Sequence, residues 1–335
     1  MAAWAYALAM TIERETDADA IFGGLERAEY ERLTRELTGY CYRMLGSPFD
    51  AEDAVQDTML RAWREFGRFE GRSSLRTWLH RIATNVCIDM LRKRSRRILP
   101  MELRPPARAE GVQIPPPLNE RTWVLPIPDA KLTDGHCDPA EQVVFRETIR
   151  LAFVAALQRL TPRQRAALIL RDVLQLSAAE TAEALGTTVA SANSALQRAR
   201  ATLPAIDDNE PAESDPDPAL LEEYVTAFQA YDLPRLTALL RSDAVNSMPP
   251  LPLWLLGRDE IRAWLSGPGS ECRGSRLLPT AANGCAAFAQ YRPDGGGGFH
   301  PWAIQVLETD GSLITGLHCY VFPELFTYFG FPAAL

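Results

Sequence analysis

The sequence has few of the features that build metal centres, disulfide frameworks or membrane spans. Its 335 residues include six cysteines and no C-x-x-C pair, so we expect reduced thiols rather than a zinc site or a disulfide scaffold. No apolar run approaches the roughly 20 residues that a membrane helix needs. Residues 1–10 are apolar but few and lack basic flanks, so no signal peptide is expected. These absences favour a cytoplasmic protein without a metal or cofactor.

Acidic residues are distributed unevenly along the chain. The formal net charge is −8, yet residues 204–335 alone contain seventeen acidic residues against seven arginines. The acidic excess therefore lies in the last third, which should bind nucleic acid poorly and suit a basic protein surface. The length is enough for two or three domains, and an apolar fraction of 47% is ordinary for globular proteins.

Residues 47–97 form the most informative stretch. Its first half gathers acidic residues at the start of an amphipathic helix, where the positive helix end favours them. Its second half follows a Gly/Ser break at 71–74, has apolar residues at helical spacing, and ends in a basic run at 92–97. Opposite charge at the two ends suggests two partners, a basic protein surface and a phosphate backbone.

This stretch resembles the second conserved region of bacterial sigma factors of the extracytoplasmic-function group. D-A-E-D-A-V-Q-D-T-M-L-R-A-W is similar to the segment that grips the clamp of RNA polymerase core (beta and beta-prime subunits), and F-x-G-R-S-S-L-R-T-W-L-H-R-I-A-T-N to the segment that captures the minus-ten promoter element. The resemblance implies core binding by Asp50, Glu52, Asp53, Gln56 and Asp57. It implies minus-ten DNA binding by Arg72, Ser73, Ser74, Arg76, Trp78, His80, Arg81, Asn85, Arg92 and Lys93.

Individual residues of this stretch favour particular roles. Asn85 is expected to read a base, because an amide offers a paired donor and acceptor. His80 and Arg81 are expected on the exposed face, and the run at 92–97 is expected to contact phosphates. Aromatic residues around Gly71 could stack on unpaired bases, but for Trp63 and Phe66 we expect core packing.

Residues 99–140 are proline-rich, which predicts a linker without a regular helix or central strand. Within it, W-V-L-P-I-P-D resembles a W-x-L-P-x-P-D signature of sigma factors that carry an extra C-terminal domain. A Trp and a Leu in a proline-stiffened segment suit a docking peptide; the alternative is a linker with an incidental Trp. The residues assigned to interdomain regulation are Trp123, Pro126, Pro128, Asp129, Asp294, Gly295 and Gly296.

Residues 141–203 predict a helix-turn-helix unit. Thr161 to Gln164 and Ser177 to Glu180 are capping boxes, and Gly186 separates a short helix from a longer one. Placed after the first unit, this pattern resembles the fourth conserved sigma region, which reads the minus-thirty-five element. The residues expected to contact that DNA are Thr188, Ser191, Asn193, Ser194, Gln197, Arg198 and Arg200.

The last part of the chain follows an acidic linker at 204–218. The segment A-F-Q-A-Y-D-L-P-R-L-T-A-L-L-R-S-D-A-V resembles SnoaL-like polyketide-cyclase domains, which implies a pocket that could hold a small molecule. Helices over 220–240 and strands over 286–291, 302–308 and 314–321 predict a helix-covered curved antiparallel sheet. No spacing pairs its histidines with acids, so we expect no catalysis. The glycine run at 295–298 is expected to form a hairpin that contacts the preceding domains.

The sequence thus predicts a multidomain fold: two all-α sigma domains, the second with a helix-turn-helix, and an α+β SnoaL-like cone. Its expected function is promoter recognition and transcription initiation with RNA polymerase core. The resemblance implies that the family usually answers to a separate anti-sigma factor and that in this subgroup the added domain regulates in cis; whether this protein also has a separate anti-sigma factor stays open at this point. The expected boundaries are 1–24 N-terminal extension, 25–98 region 2, 99–140 linker, 141–203 region 4, 204–218 acidic linker and 219–335 SnoaL-like domain.

Two rival functions are a helix-turn-helix regulator with a ligand-binding domain and a cyclase or isomerase fused to a DNA-binding module. The acidic segment at 50–57 argues against the first rival, since a repressor has no need of that surface. Turnover by the C-terminal part would favour the second.

Overall fold

A computed structural model describes residues 27–92, 94–133, 139–203 and 217–335. The expected N-terminal extension, Lys93, Cys137 and most of the acidic linker lie outside these ranges. None of the described helices is long and apolar enough to cross a membrane.

Three helices form the first unit: α1 Arg27–Leu45, α2 Pro48–Glu65 and α3 Leu75–Leu91. Gly46 ends α1 at φ +69°, a conformation that glycine adopts readily, and the Ser47 hydroxyl then caps α2 by accepting from the Asp50 N–H. Ser74 caps α3 through the Thr77 N–H at 3.1 Å. Apolar faces of the three helices meet in a common core, where the Tyr40 and Thr84 hydroxyls are hydrogen-bonded at 2.7 Å.

Over its described residues 99–133, the proline-rich segment has only short 3-10 turns, at Pro100–Glu102, Glu120–Thr122 and Asp129–Lys131. For these residues the prediction that prolines exclude a regular helix or central strand is confirmed, whereas the helix that begins at Pro139 includes the last two residues of the predicted linker. The segment is nevertheless well packed, because Trp123, Val124, Leu125 and Ile127 are all fully buried.

The second helical unit contains α4 Pro139–Ile149, α5 Leu151–Leu157, α6 Pro162–Leu168, α7 Ala178–Ala184 and α8 Val189–Thr202. Both predicted capping boxes are present: Gln164 accepts from the Thr161 N–H, and Ser177 and Glu180 bond reciprocally. A π-helical turn, Ile169–Val173, extends α6. The predicted helix-turn-helix is thus α7 and α8.

The C-terminal unit is a helix-covered sheet. Helices α9 Pro218–Ala230 and α10 Leu233–Ala238 precede the sheet, α11 Arg258–Ser266 lies between its second and third strands in the chain, and α12 Pro323–Tyr328 follows its last strand. The strands are β1 Leu240–Ser247, β2 Trp254–Leu256, β3 Arg276–Ala282, β4 Cys285–Pro293, β5 Phe299–Thr309 and β6 Ile314–Tyr320, in the order β2-β1-β6-β5-β4-β3. The fold class is the predicted one, but β1 and β6 pair in parallel, so the sheet is mixed and not purely antiparallel.

The sheet separates two hydrophobic cores. Its concave face packs against α9 and α11 around Tyr224, Phe288 and Trp264. Its convex face shares one continuous core with both helical units and the proline-rich segment, which includes Trp123, Ile304 and Phe326. The C-terminal unit is therefore packed into the body of the molecule.

Candidate nucleic-acid and protein interfaces

The acidic face of α2 is largely open to solvent. Glu52, Asp53 and Gln56 are exposed, and Asp57 is half-exposed and paired with Arg61 at 2.8 Å. Partial burial is the main cause that raises the pKa of Asp53, and the negative charge of the neighbouring Asp50 raises it further. This face could meet a basic partner surface.

Asp50 does not belong to that face, which corrects the sequence prediction. It is 8% exposed, and its carboxylate accepts from Arg97 at 2.7 Å and also pairs with Arg94. Arg97 is 4% exposed and donates to the backbone oxygens of Trp123 and Glu120. The prediction that Arg97 contacts phosphate is therefore wrong. Its side chain is buried and links the proline-rich segment to α2 through hydrogen bonds.

Two apolar residues extend the open face of α2, of which Leu60 was missed and Trp63 was expected elsewhere. Leu60 is 53% exposed and Trp63 is 45% exposed, and both follow Gln56 at helical spacing. The expectation that Trp63 packs in the core is wrong. Large apolar side chains that are exposed to solvent next to a polar face are typical of a protein–protein interface.

The residues around the start of α3 form an aromatic and basic surface. The rings of Phe69 and Trp78 lie 4.9 Å apart, and Phe66 stacks on Phe69 at 6.2 Å. Arg72 is exposed and paired with Glu70, and Ser73 lies beside it. Ser74 uses its hydroxyl as the cap of α3.

Farther along α3, the predicted DNA-contacting residues divide into exposed and buried ones. Arg81, Asn85 and Arg92 are exposed, and Lys93 lies outside the described residues. His80 is fully buried, so its expected exposure is wrong. Its Nδ1 bonds the Arg76 carbonyl at 2.8 Å, and burial lowers its pKa.

All residues predicted to read the minus-thirty-five element lie on the exposed side of α8 or at its cap. Thr188 caps the helix by accepting from the Ser191 N–H at 3.2 Å. Arg200 makes a two-point contact with Asp172 of the π-helical turn, at 2.6 and 3.0 Å. Asn193, Ser194, Gln197 and Arg198 are exposed along the same side.

The two helical units touch each other at the start of α3. Arg76 donates to Glu36 at 2.6 Å and to the Leu174 carbonyl of the second unit at 3.0 Å. The Thr77 hydroxyl approaches Glu180 of α7 at 3.5 Å. Arg76, a predicted DNA contact, is thus occupied by Glu36 of its own unit and by a backbone oxygen of the second unit.

Asn283, in the turn between β3 and β4, joins all the major parts of the molecule and was missed. It is fully buried with φ +55°. Its Nδ2 donates to the Tyr42 hydroxyl at 2.8 Å and to the Ile149 carbonyl at 2.6 Å, and its Oδ1 accepts from the Ile127 N–H at 2.9 Å. Tyr42 donates in turn to the Leu125 carbonyl at 2.8 Å. The Asn-Gly pair between two strands is a known hairpin signal that could have marked this turn.

Asp129 completes the contact from the proline-rich segment. Its two carboxylate oxygens accept from the Gly284 N–H at 3.0 and 3.2 Å. Burial raises the pKa of Asp129 to about 6, although the Gly284 N–H and Arg146 act in the opposite direction. A Cβ at Gly284 would lie 3.1 Å from the Arg146 Cα, so this turn approaches α4 closely.

The other residues assigned to interdomain contact fall into two groups. Trp123, Pro126 and Pro128 are buried, and Pro128 forms a bridge with Ala282 of β3. Asp294, Gly295 and Gly296 are exposed, and Asp294 accepts from the N–H groups of Gly296 and Gly298 within its own turn. The expected contact of the glycine hairpin with the helical units is wrong, since the β3–β4 turn occupies that interface.

The concave side of the sheet is filled by the protein's own side chains. Tyr224 lies between Phe228 and Phe288, with ring centroids 5.7 and 5.6 Å away. Its hydroxyl begins a chain of hydrogen bonds through Gln305 and Gln290 to Ser275. On the convex side, His318 bonds Ser247 at 2.8 Å and lies 3.3 Å from Glu308, but Ser247 is only 1% exposed. Among the described residues, no cluster could hold a metal ion.

Comparisons with known proteins identify the family of both helical units. The Sigma-70 region 2 family matches residues 29–97, and the Sigma-70 region 4 family matches residues 150–203. The chain is 44% identical over 317 residues to the ECF RNA polymerase sigma factor SigG of Mycobacterium tuberculosis, covering 92% of this chain and 84% of that protein. It is 33% identical over 224 residues to SigJ of the same species, covering 65% of this chain and 63% of that protein. The crystal structure of M. tuberculosis SigJ shares the fold, with a TM-score of 0.58 at 24% identity over 92% of this chain and all of that one.

The three-helix unit, with the acidic face on its second helix, and the helix-turn-helix unit that follows it correspond to the two matched regions of the sigma-70 class. Within that class, the chain belongs to the extracytoplasmic-function (ECF) family of RNA polymerase sigma factors. Its function is to recognise promoters and initiate transcription.

Proposed function

We propose that this sigma factor is held by its own C-terminal domain in an arrangement that cannot open a promoter. A bipartite promoter places its two elements about 25 base pairs apart, which is roughly 85 Å of duplex at ~3.4 Å per step. The Arg76 side chain at the minus-ten unit hydrogen-bonds Leu174 of the minus-thirty-five unit at 3.0 Å. Units in contact cannot occupy both elements, so they must separate before the promoter is read.

The observation that carries this proposal is the position of Asn283. One buried side chain from the C-terminal domain bonds α1, the proline-rich segment and α4. Because these bonds are buried, breaking one leaves a polar group unsatisfied at a cost of about 1–3 kcal/mol. The domain thereby stabilises the contact between the two DNA-reading units without touching the DNA-reading surfaces of α8.

The remaining assignments follow the same geometry. The exposed face of α2, with Glu52, Asp53 and Gln56 extended by Leu60 and Trp63, binds the polymerase core. Arg72, Trp78 and Asn85 bind the minus-ten element once Arg76 is released, and the exposed side of α8 binds the minus-thirty-five element. The domain boundaries are those given by the sequence, the protein acts in the cytoplasm, and it binds its partners without covalent chemistry.

Run-off transcription with reconstituted holoenzyme tests the proposal. Asn283→Asp keeps a residue that tolerates the left-handed turn but directs a buried carboxylate at the Ile149 carbonyl. It should release the domain and raise promoter output several-fold. Tyr42→Phe removes the hydroxyl that bonds Asn283 and Leu125, and should raise output in the same direction.

Matched controls separate release from general damage. Glu222→Gln changes an exposed residue on α9 and should leave output at the wild-type value. Combining Tyr42→Phe with Asn283→Asp should add little to either alone, since both break one junction. Wild-type output from a folded Asn283→Asp protein would overturn the proposal.

A second prediction is that the C-terminal domain binds a small molecule on the concave side of its sheet. The relay from Tyr224 to Ser275 and the stacked rings already occupy the concave side, so a ligand would have to displace them. A small molecule that raises the melting temperature of the full chain would support it.

A further inference from the structure

The last helix of the chain lies against the first turn of the helix that binds polymerase. The ring of Tyr328 on α12 meets the Phe49 ring edge-on at 5.3 Å, and its hydroxyl approaches the Pro48 carbonyl at 3.5 Å. Lys131 of the proline-rich segment lies 5.1 Å from the centre of the same ring. Leu325 and Phe326 of α12 are buried in the core shared with α2.

Charge works against this contact. Glu324 lies in the first turn of α12 and is exposed, while Glu120 of the proline-rich segment is half-buried. After burial itself, the carboxylate of Glu324 contributes most to raising the pKa of Glu120. The like charges of Glu324 and Glu120 thus oppose the packing of α12, whereas the apolar contacts of Tyr328, Leu325 and Phe326 favour it.

We infer that α12 is a latch that competes with RNA polymerase core for the first turn of α2. Glu52 lies one turn beyond Phe49 on the same helix, so a partner that grips α2 along its exposed face must displace Tyr328. The inference rests on the proposed cis regulation. The contact of Tyr328 with Phe49 would control polymerase binding, whereas the hydrogen bonds of Asn283 would control the separation of the DNA-reading units.

The affinity of the full chain for core polymerase tests the latch. Glu324→Lys converts repulsion of Glu120 into attraction, so it should tighten the latch and weaken core binding roughly two- to fivefold. Glu324→Lys combined with Glu120→Lys restores like charges and should return the affinity towards wild type. Tyr328→Ala removes the ring contact and should strengthen core binding several-fold.

The double variant distinguishes the latch from a direct contact of Glu324 with the polymerase. A direct contact would leave the double variant binding no better than Glu324→Lys, and this would overturn the inference. Glu222→Lys makes the same charge change on α9 and should bind as wild type does. If Tyr328→Ala proves unfolded, the charge variants still decide, since both alter exposed or half-buried side chains.

The outcome is separable from that of the proposed function. If Asn283→Asp raises promoter output while Glu324→Lys and Tyr328→Ala leave core affinity unchanged, the latch is wrong and the cis regulation stands. If Asn283→Asp has no effect on output, the cis regulation fails whatever the latch variants do.

Discussion

At the scale of single residues, the interfaces depend on polar side chains whose surroundings differ sharply over short distances. Asp50 is enclosed by Arg94 and Arg97, whereas Asp53, three residues on, is exposed. The two carboxylates are equivalent in the sequence, because helical spacing predicts which residues share a face of α2. It does not predict which other parts of the chain pack on that face. The covering residues come from beyond the end of α3 and could not be assigned to Asp50 from the chain order.

Charge changes on α2 should separate these two roles. Asp53→Lys with Asp57→Lys should abolish co-purification with core polymerase while leaving the melting temperature nearly unchanged, since both side chains are at least half-exposed. Asp50→Asn should instead lower the melting temperature, because it leaves the nearly buried Arg97 without its carboxylate, at a cost of about 3–5 kcal/mol. A double Lys variant that co-purifies at wild-type yield would remove this face from the polymerase interface.

The raised pKa of Asp129 predicts that docking of the C-terminal domain depends on pH. Burial raises its pKa in the docked state to about 6, whereas a free carboxyl titrates near ~3.9. The docked state therefore takes up a proton between these values, so docking strengthens as the pH falls through 6 and gains nothing further below about 4. Asp129 is faced by the Gly284 N–H, Arg146 and the Tyr42 side chain.

Small-angle scattering of the free protein at pH 5 and pH 7.5 measures this effect. The wild type should be more compact at the lower pH. Asp129→Asn should reduce the difference, because its side chain does not titrate. An equal pH response in both proteins would assign the effect to another group.

At the scale of elements, the ends of the helices are easier to predict from the sequence than the tertiary contacts are. The caps at Thr161 and Ser177 could be predicted from the sequence because each depends on a residue three positions away. Strands β1 to β3 were not expected, since β1 directly follows α10 and β2 has only three residues. The junction at Asn283 joins residues more than 130 positions apart, and a single sequence carries no signal for such pairs.

Helices α3 and α8 should respond differently to substitution. Arg198→Ala and Arg200→Ala should weaken binding to upstream promoter duplex and flatten its salt dependence, because each removes a cation near phosphates. Asn85→Ala should spare duplex binding and impair opening, since an amide reads an unpaired base. Permanganate footprinting detects opened DNA, and normal reactivity with the Asn85 variant would exclude that residue from the minus-ten site.

At the scale of the whole molecule, one hydrophobic core includes both DNA-reading units, the proline-rich segment and the convex face of the C-terminal sheet. The domains are therefore packed together in the free protein, and the proposed cis regulation requires them to separate before they span a promoter. Polymerase binding can supply the required free energy, because a preference of ~1.4 kcal/mol already shifts such an equilibrium tenfold.

The distance between α2 and α8 in solution tests this account most directly. Fluorescence energy transfer between labels at exposed Arg64 and Thr202 should be high in the free wild-type protein. It should fall when core polymerase is added, and should already be low in the free Asn283→Asp variant. Transfer that is low in the free wild type, or unchanged by both polymerase and the variant, would contradict the closed arrangement.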